Sequence, residues 1–142
     1  MKAYLTRRYL FSASHRLHCN EMSAAENQAV YGKCNNPHGH GHNYSVEVTV
    51  AGQVDPRTGM VCNLVDLDSF VHEKILERFD HQNLNTLPEF LEIVPTTENL
   101  CVEVFDILEE NFHHAQIDID KVRIEETMLN SFEYAGGREI RY

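Results

Sequence analysis

Residues 40–51 read His40-Gly41-His42-Asn43-Tyr44-Ser45-Val46-Glu47-Val48-Thr49-Val50-Ala51. From Tyr44 onward the apolar residues Tyr44, Val46, Val48 and Val50 alternate with Ser45, Glu47 and Thr49. Successive strand side chains point to opposite faces, so this alternation predicts a half-buried strand with one apolar face. Extended back to residue 40, the same strand puts His40 and His42 on the apolar parity, roughly 6–7 Å apart along the chain. Two imidazoles at that spacing reach one metal ion. His38-Gly39-His40 has the same spacing and parity, so periodicity alone does not choose between the pairs. A polar loop of solvated histidines is the competing reading.

Working outward, residues 3–15 read as a second strand, with Ala3, Leu5, Tyr9, Phe11 and Ala13 on one parity and His15 ending the run on that parity. If the two strands pair, His15 becomes a third ligand. Three neutral imidazoles with an open position are the catalytic form of a zinc site rather than the structural one. Between the strands, residues 18–39 form a long polar loop with a short helix at Ser23–Val30, and loops of this length are more often functional than idle. After the second strand, Asp55-Pro56-Arg57-Thr58-Gly59 reads as a turn. Met60–Leu64 is expected to return as its hairpin partner. Leu67, Phe70, Val71, Ile75 and Phe79 recur at helical spacing over 66–79. A second helix starts at Thr96-Thr97-Glu98 with Leu100, Val104, Phe105 and Leu108 as its buried stripe. Residues 121–128 and 131–135 close the chain as a hairpin. The order of strands, helices and strands is α+β: an antiparallel sheet covered by helices on one face.

The whole sequence of 142 residues suits one domain, residues 1–142, without repeat or linker. Its net charge of −10 excludes a generic nucleic-acid binder, because nothing supplies broad counterion release. It leaves room for a small anionic substrate held by local cations or a metal. No apolar run suits a membrane span, and Met1-Lys2-Ala3-Tyr4 does not open a signal peptide, so a cytoplasmic protein is expected. Four cysteines without a CxxC pair read as reduced thiols, most of them buried.

Cys34 follows Lys33 in a loop six residues before His40, which makes it a candidate for a depressed thiolate pKa, although an isolated cysteine is more often inert. Cys19, Cys62 (in the expected hairpin strand) and Cys101 (on a helix) are read as inert. Asp80-His81 follows the first helix, and a carboxylate beside an imidazole suits either acid/base work or a plain turn. In 121–128, Glu126 shares parity with Val122, Ile124 and Met128, where an unpaired carboxylate is expensive. Either an Arg, a Lys or an amidine-like ligand edge pairs with it, or the strand lies at a sheet edge whose apolar face is wet. His18, His72, His113 and His114 are assigned to the surface.

Taken together, Phe11-Ser12-Ala13-Ser14-His15, Gly32-Lys33-Cys34-Asn35-Asn36-Pro37, Gly39-His40-Gly41-His42-Asn43-Tyr44, Asp80-His81-Gln82-Asn83-Leu84, Thr96-Thr97-Glu98-Asn99 and Glu126-Thr127 resemble the 6-pyruvoyl-tetrahydropterin synthase family from about residue 8 to the end. The resemblance selects His40 and His42 and leaves His38 as an extra residue. It implies the tunnelling fold, a four-stranded antiparallel sheet with two helices on one face that oligomerises into a barrel. A homohexamer, a dimer of trimers with active sites between subunits, would follow. It also implies a zinc-dependent lyase that turns 7,8-dihydroneopterin triphosphate into 6-pyruvoyl-tetrahydropterin and triphosphate, on the route to tetrahydrobiopterin. Carried over, His15, His40 and His42 bind Zn2+, Cys34 is the base, and Asp80 with His81 forms a relay from a neighbouring subunit. Glu126 grips the pterin, with Thr97 and Glu98 as secondary contacts. Arg8, Arg16 or Lys33 is expected to form a basic rim for the triphosphate, with Mg2+ as an optional companion. The alternatives are a 6-carboxy-tetrahydropterin synthase, whose usual Cys-to-His spacing is shorter than the one here, and a noncatalytic zinc- or pterin-binding module on the same fold.

Overall fold

The computed structural model describes residues 2–137. Two long strands carry it, β1 (Ala3–His15) and β2 (His40–Gly52), paired antiparallel so that Phe11 faces Tyr44, Ala13 faces His42 and His15 faces His40. Between them α1 (Ala24–Tyr31) is capped by the Ser23 hydroxyl, which accepts from Glu26 N–H at 3.1 Å. The chain continues through α2 (Leu64–Val71), a wide turn at His72–Leu76 and α3 (Glu77–Phe79) into a short strand β3 (Gln82–Asn83). Then come α4 (Thr97–Asn111), β4 (Asp118–Thr127) and β5 (Asn130–Tyr134). The helix expected at Thr96-Thr97-Glu98 is present, and of the two threonines Thr96 caps it, its hydroxyl accepting from Asn99 N–H at 3.1 Å. No helix among the described residues is long and apolar enough to cross a membrane.

The sheet order is β3-β1-β2-β4-β5. It therefore has five strands where the sequence suggests four; the addition is the two-residue β3, parallel to β1 at Ala13–Ser14. The expected hairpin strand at Met60–Leu64 does not form. The turn itself is present, with Gly59 N–H donating to Asp55 O at 2.7 Å and Gly59 at φ 73°. Both edges of β2 are already paired, to β1 and β4, so a third strand has no edge to join. Cys62 consequently lies in the connection before α2 and not in a strand, though it is buried as expected.

Tyr44, Val46, Val48 and Val50 are fully buried against Leu67, Val71, Ile75 and Phe79 and against the α4 stripe of Leu100, Val104, Phe105 and Leu108. The first helical set repeats every four residues. In a regular α-helix each such step overshoots the face by about 40°. The π-turn at His72–Leu76, with its wider winding, returns Phe79 to the core. Cys101 is also buried here, which pushes its thiol up to about 12 and makes it inert. The opposite face of the sheet is polar: Glu47 bridges Arg8 and Arg123 at 2.8 Å each, and Thr6 meets Thr49 at 2.8 Å. At the end of β4 the pairing with β5 shifts between Glu125 and Thr127, so Met128 leaves the apolar parity and is exposed in the turn.

Candidate metal and acid–base site

The β1–β2 register brings three imidazoles to one point. His40 Nε2 lies 3.3 Å from His15 Nε2 and 2.8 Å from His42 Nε2. His15 is almost wholly buried, and its Nδ1 lies 2.9 Å from the Pro95 carbonyl, with the Tyr44 hydroxyl at 3.3 Å. A carbonyl only accepts, so Nδ1 carries the proton and Nε2 presents its lone pair to the cluster. Zinc bound tetrahedrally by imidazoles at about 2.0–2.1 Å needs nitrogens about 3.3 Å apart. The His15–His40 separation matches that spacing, the His40–His42 one is shorter, and imidazole nitrogen is a donor type that zinc takes. His38, exposed in the preceding turn, is not part of the cluster.

Gly39 makes this convergence possible. Its φ is 69°, and a Cβ there would stand 2.8 Å from the His15 carbonyl oxygen. Gly39→Ala is expected to displace His40 from His15, weaken zinc binding in a metal titration, and lower the melting temperature. The left-handed backbone alone costs about 1–2 kcal/mol, or a few degrees for a domain of this size.

Burial is the main cause that lowers the pKa values of His15 and His42; the neighbouring imidazoles add to it and the Glu126 carboxylate opposes it. Both rings therefore stay neutral, the form that binds a metal. Below the ordinary histidine pKa of about 6.5 the unfolded chain takes up protons that the folded protein refuses. Stability of the metal-free protein should thus be level above that pH and fall as pH drops from it through the lowered pKa values. Urea midpoints measured between pH 7.5 and 5.5 would check this, and His15→Gln should flatten the slope.

The long loop is tied down by asparagines that sequence reading missed. Asn27, fully buried, donates to the carbonyls of Cys19, Met22 and Ser23 and accepts from Cys19 N–H. Asn35 Nδ2 donates to Leu17 O at 2.8 Å, and Leu17 N–H donates to Cys34 O at 2.7 Å. Asn85 both accepts from and donates to the Arg16 backbone. Asn, Gly and Pro enrichment was the only signal of this loop; its bonds join residues too far apart for local pattern to show. The outcome is a half-buried Cys34 whose Sγ lies within 4.8 Å of ligand nitrogens of His15 and His40.

The expected depression of the Cys34 pKa is corrected: burial, and secondarily the Glu126 carboxylate, push the thiol up. Lys33, which suggested the opposite, is exposed. Glu126 flanks the cluster from the other side, within 4.8 Å of His15 and His42 ligand nitrogens. One carboxylate oxygen is 3.0 Å from His42 Nε2, and the other accepts from the Thr97 hydroxyl. Thr97 is buried in the first turn of α4; Glu98, next to it, is exposed, and no contact joins it to the cluster among the described residues.

Asp80 and His81 stand at the outer edge of β1. Asp80 Oδ1 accepts from Ser12 N–H at 2.9 Å and lies 3.0 Å from His81 Nδ1, and His81 N–H donates to Ser12 O at 2.6 Å with φ 60°. The Ser12 N–H, and then His81, hold the Asp80 carboxyl below its usual range. The pair touches none of His15, Cys34 and His40 within the chain. His81 instead shares with His42 the wall of an open cleft of about 520 Å3, floored by Ser12, Ser14 and Gly41. Of the basic residues, Arg16 sits next to the Cys34 loop, its Nε donating to Asn35 O at 3.3 Å. Arg8 is held by Glu47 on the polar sheet face.

Residues 4–137 match the profile of the family described as 6-pyruvoyl tetrahydropterin synthase. A curated relative from Poecilia reticulata, named 6-pyruvoyl tetrahydrobiopterin synthase, is 50% identical over 134 residues, covering 94% of this chain and 90% of its own length. The relative of the same name from Homo sapiens is 46% identical over 136 residues, covering 95% and 92%. A solved structure of the Caenorhabditis elegans 6-pyruvoyl tetrahydropterin synthase superimposes with a TM-score of 0.89 at 40% identity, covering 96% of this chain and 97% of that one.

Proposed function

The chain belongs to the 6-pyruvoyl tetrahydropterin synthase family, and from that membership we propose that it is a zinc-dependent lyase converting 7,8-dihydroneopterin triphosphate to 6-pyruvoyl-tetrahydropterin with release of triphosphate. The observation that carries the reading is the meeting of three imidazoles, one with its tautomer set by Pro95, beside a thiol and a carboxylate. His15, His40 and His42 would hold Zn2+. Bound there, the ion supplies Lewis-acid polarisation that makes C–H protons of the substrate side chain more acidic.

Cys34 is the group positioned to take such a proton. Its raised thiol pKa makes the thiolate a stronger base once formed, and a neighbouring divalent charge acts to lower that pKa. Glu126, steadied by Thr97, accepts the paired N–H groups of the pterin's amidine edge. Asp80 orients and polarises His81, which exchanges protons with the side chain from a neighbouring subunit; Glu98 is a secondary contact. Arg16 and Lys33 are the better-placed members of the triphosphate rim, with Mg2+ as an optional companion. Oxidation of the side chain balances reduction of the ring within one molecule, so no hydride cofactor is required.

Assembly follows from two strand edges. The outer edge of β1 beyond Ala13–Ser14 and that of β5 have no strand partner among the described residues. Unlike edges on opposite sides of one sheet suit a head-to-tail contact, which forms a ring where the rotation between subunits closes. This supports a trimeric barrel, two of which stack as a homohexamer with shared active sites. Four free thiols support a reducing cytoplasm. The test is mass-spectrometric product identification after incubating zinc-loaded protein with 7,8-dihydroneopterin triphosphate. Triphosphate with the 6-pyruvoyl product supports the proposal. Acetaldehyde release would assign the 6-carboxy activity, and substrate bound but unchanged would assign a noncatalytic module.

A further inference from the structure

We propose that Glu126 is a displaceable fourth ligand of the metal, capping the ion while no pterin is bound and drawn off it by the pterin's N–H donors. This rests on the reading of the site as a zinc-dependent pterin site and adds a coupling between its two halves.

The Glu126 side chain is 12% exposed. Its partners are the Thr97 hydroxyl on Oε2 and His42 Nε2 at 3.0 Å from Oε1. No Lys or Arg pairs with it among the described residues. The two groups stand at ion-pair distance with no hydrogen bond between them, so a nitrogen lone pair and a carboxylate oxygen meet as two potential ligand atoms. In the metal-free site Oε1 therefore has no hydrogen-bond donor among the described residues, and a nearly buried carboxylate oxygen without a partner costs free energy that an ion shared with His15 and His42 would relieve. The same carboxylate lies within 4.8 Å of the His15 and His42 nitrogens, the reach needed to share their ion. Thr97 holds the second oxygen, so the group can turn without leaving the site.

A pterin presents two N–H groups at its amidine edge, which offer Glu126 the donors that Oε1 lacks. When Glu126 turns to them, its bond to the ion breaks and that coordination position passes to water or to a substrate oxygen. Recognition of the ring would thus open the metal for the side chain. Cys34, on the other flank beside His15 and His40, stays free to act as a base.

The test replaces zinc by cobalt(II), whose visible absorption reads its ligand set, and uses unsubstituted pterin, which has the amidine edge but no side-chain hydroxyl. Without pterin, wild-type protein should differ in spectrum from both Glu126→Gln and Glu126→Ala, and because water takes the vacated position while the three imidazoles stay, the variants should hold cobalt only about tenfold less tightly. Adding pterin should move the wild-type spectrum toward that of the variants. The proposal is overturned if wild-type and both variants have superposable ligand-free spectra and equal cobalt affinity. It is also overturned if Cys34→Ala, rather than the Glu126 variants, alters the ligand-free spectrum. None of these outcomes depends on turnover, so failure to release triphosphate would count against the lyase reading alone.

Discussion

Replacing Cys34 with alanine is expected to leave zinc content unchanged while triphosphate release falls by about 10²–10⁴-fold, the usual worth of a positioned acid or base. The two halves of this result come from different parts of the structure. The imidazoles converge through β1–β2 pairing, which does not involve Cys34. The thiol is delivered separately, by a loop held through Leu17, Asn27 and Asn35. Removing one sulfur atom from a half-buried position leaves those backbone bonds intact, so the melting temperature should change little. Metal analysis and a phosphate-release assay on the same preparation measure both halves. Loss of zinc together with activity would make Cys34 a ligand and remove it as the base.

The second large effect is expected from His40→Ala. His40 Nε2 lies between the other two nitrogens, at 3.3 and 2.8 Å, so its loss leaves two imidazoles and an incomplete site. Residues that merely support a ligand are worth 10–100-fold in metal affinity, so deleting a ligand should cost more than about 100-fold. Zinc competition titration would measure it. The fold should survive, because His40 begins β2 outside the Tyr44–Val50 core. By contrast His15, buried and bonded to Pro95, is expected to lower stability as well when truncated. Zinc affinity unchanged in His40→Ala would overturn the three-histidine site.

The sheet and its ligands were legible because their signals are local. Tyr44 to Val50 alternate strictly, His40 and His42 continue the alternation, and His15 ends its own strand on the buried parity. The absent strand at Met60–Leu64 shows where local reading stops. Its residues suit a strand, but β4, some sixty residues on, already occupies the edge of β2 that it would need. The bulge that turns Met128 outward likewise depends on pairing with β5.

By itself the sequence determined which residues alternate, which recur at helical spacing, that helices begin near Ser23 and Thr96, and that His15, His40 and His42 share the apolar parity, as His38 does too. These follow from backbone geometry over a few neighbouring residues. Tertiary structure alone decided that Pro95 sets the His15 tautomer and that burial raises rather than lowers the Cys34 pKa. It alone decided that Glu126 meets His42 and Thr97, and that Asp80 and His81 stand apart from Cys34. Those outcomes depend on desolvation and on hydrogen bonds between residues distant in sequence, quantities that exist only once the chain has closed on itself.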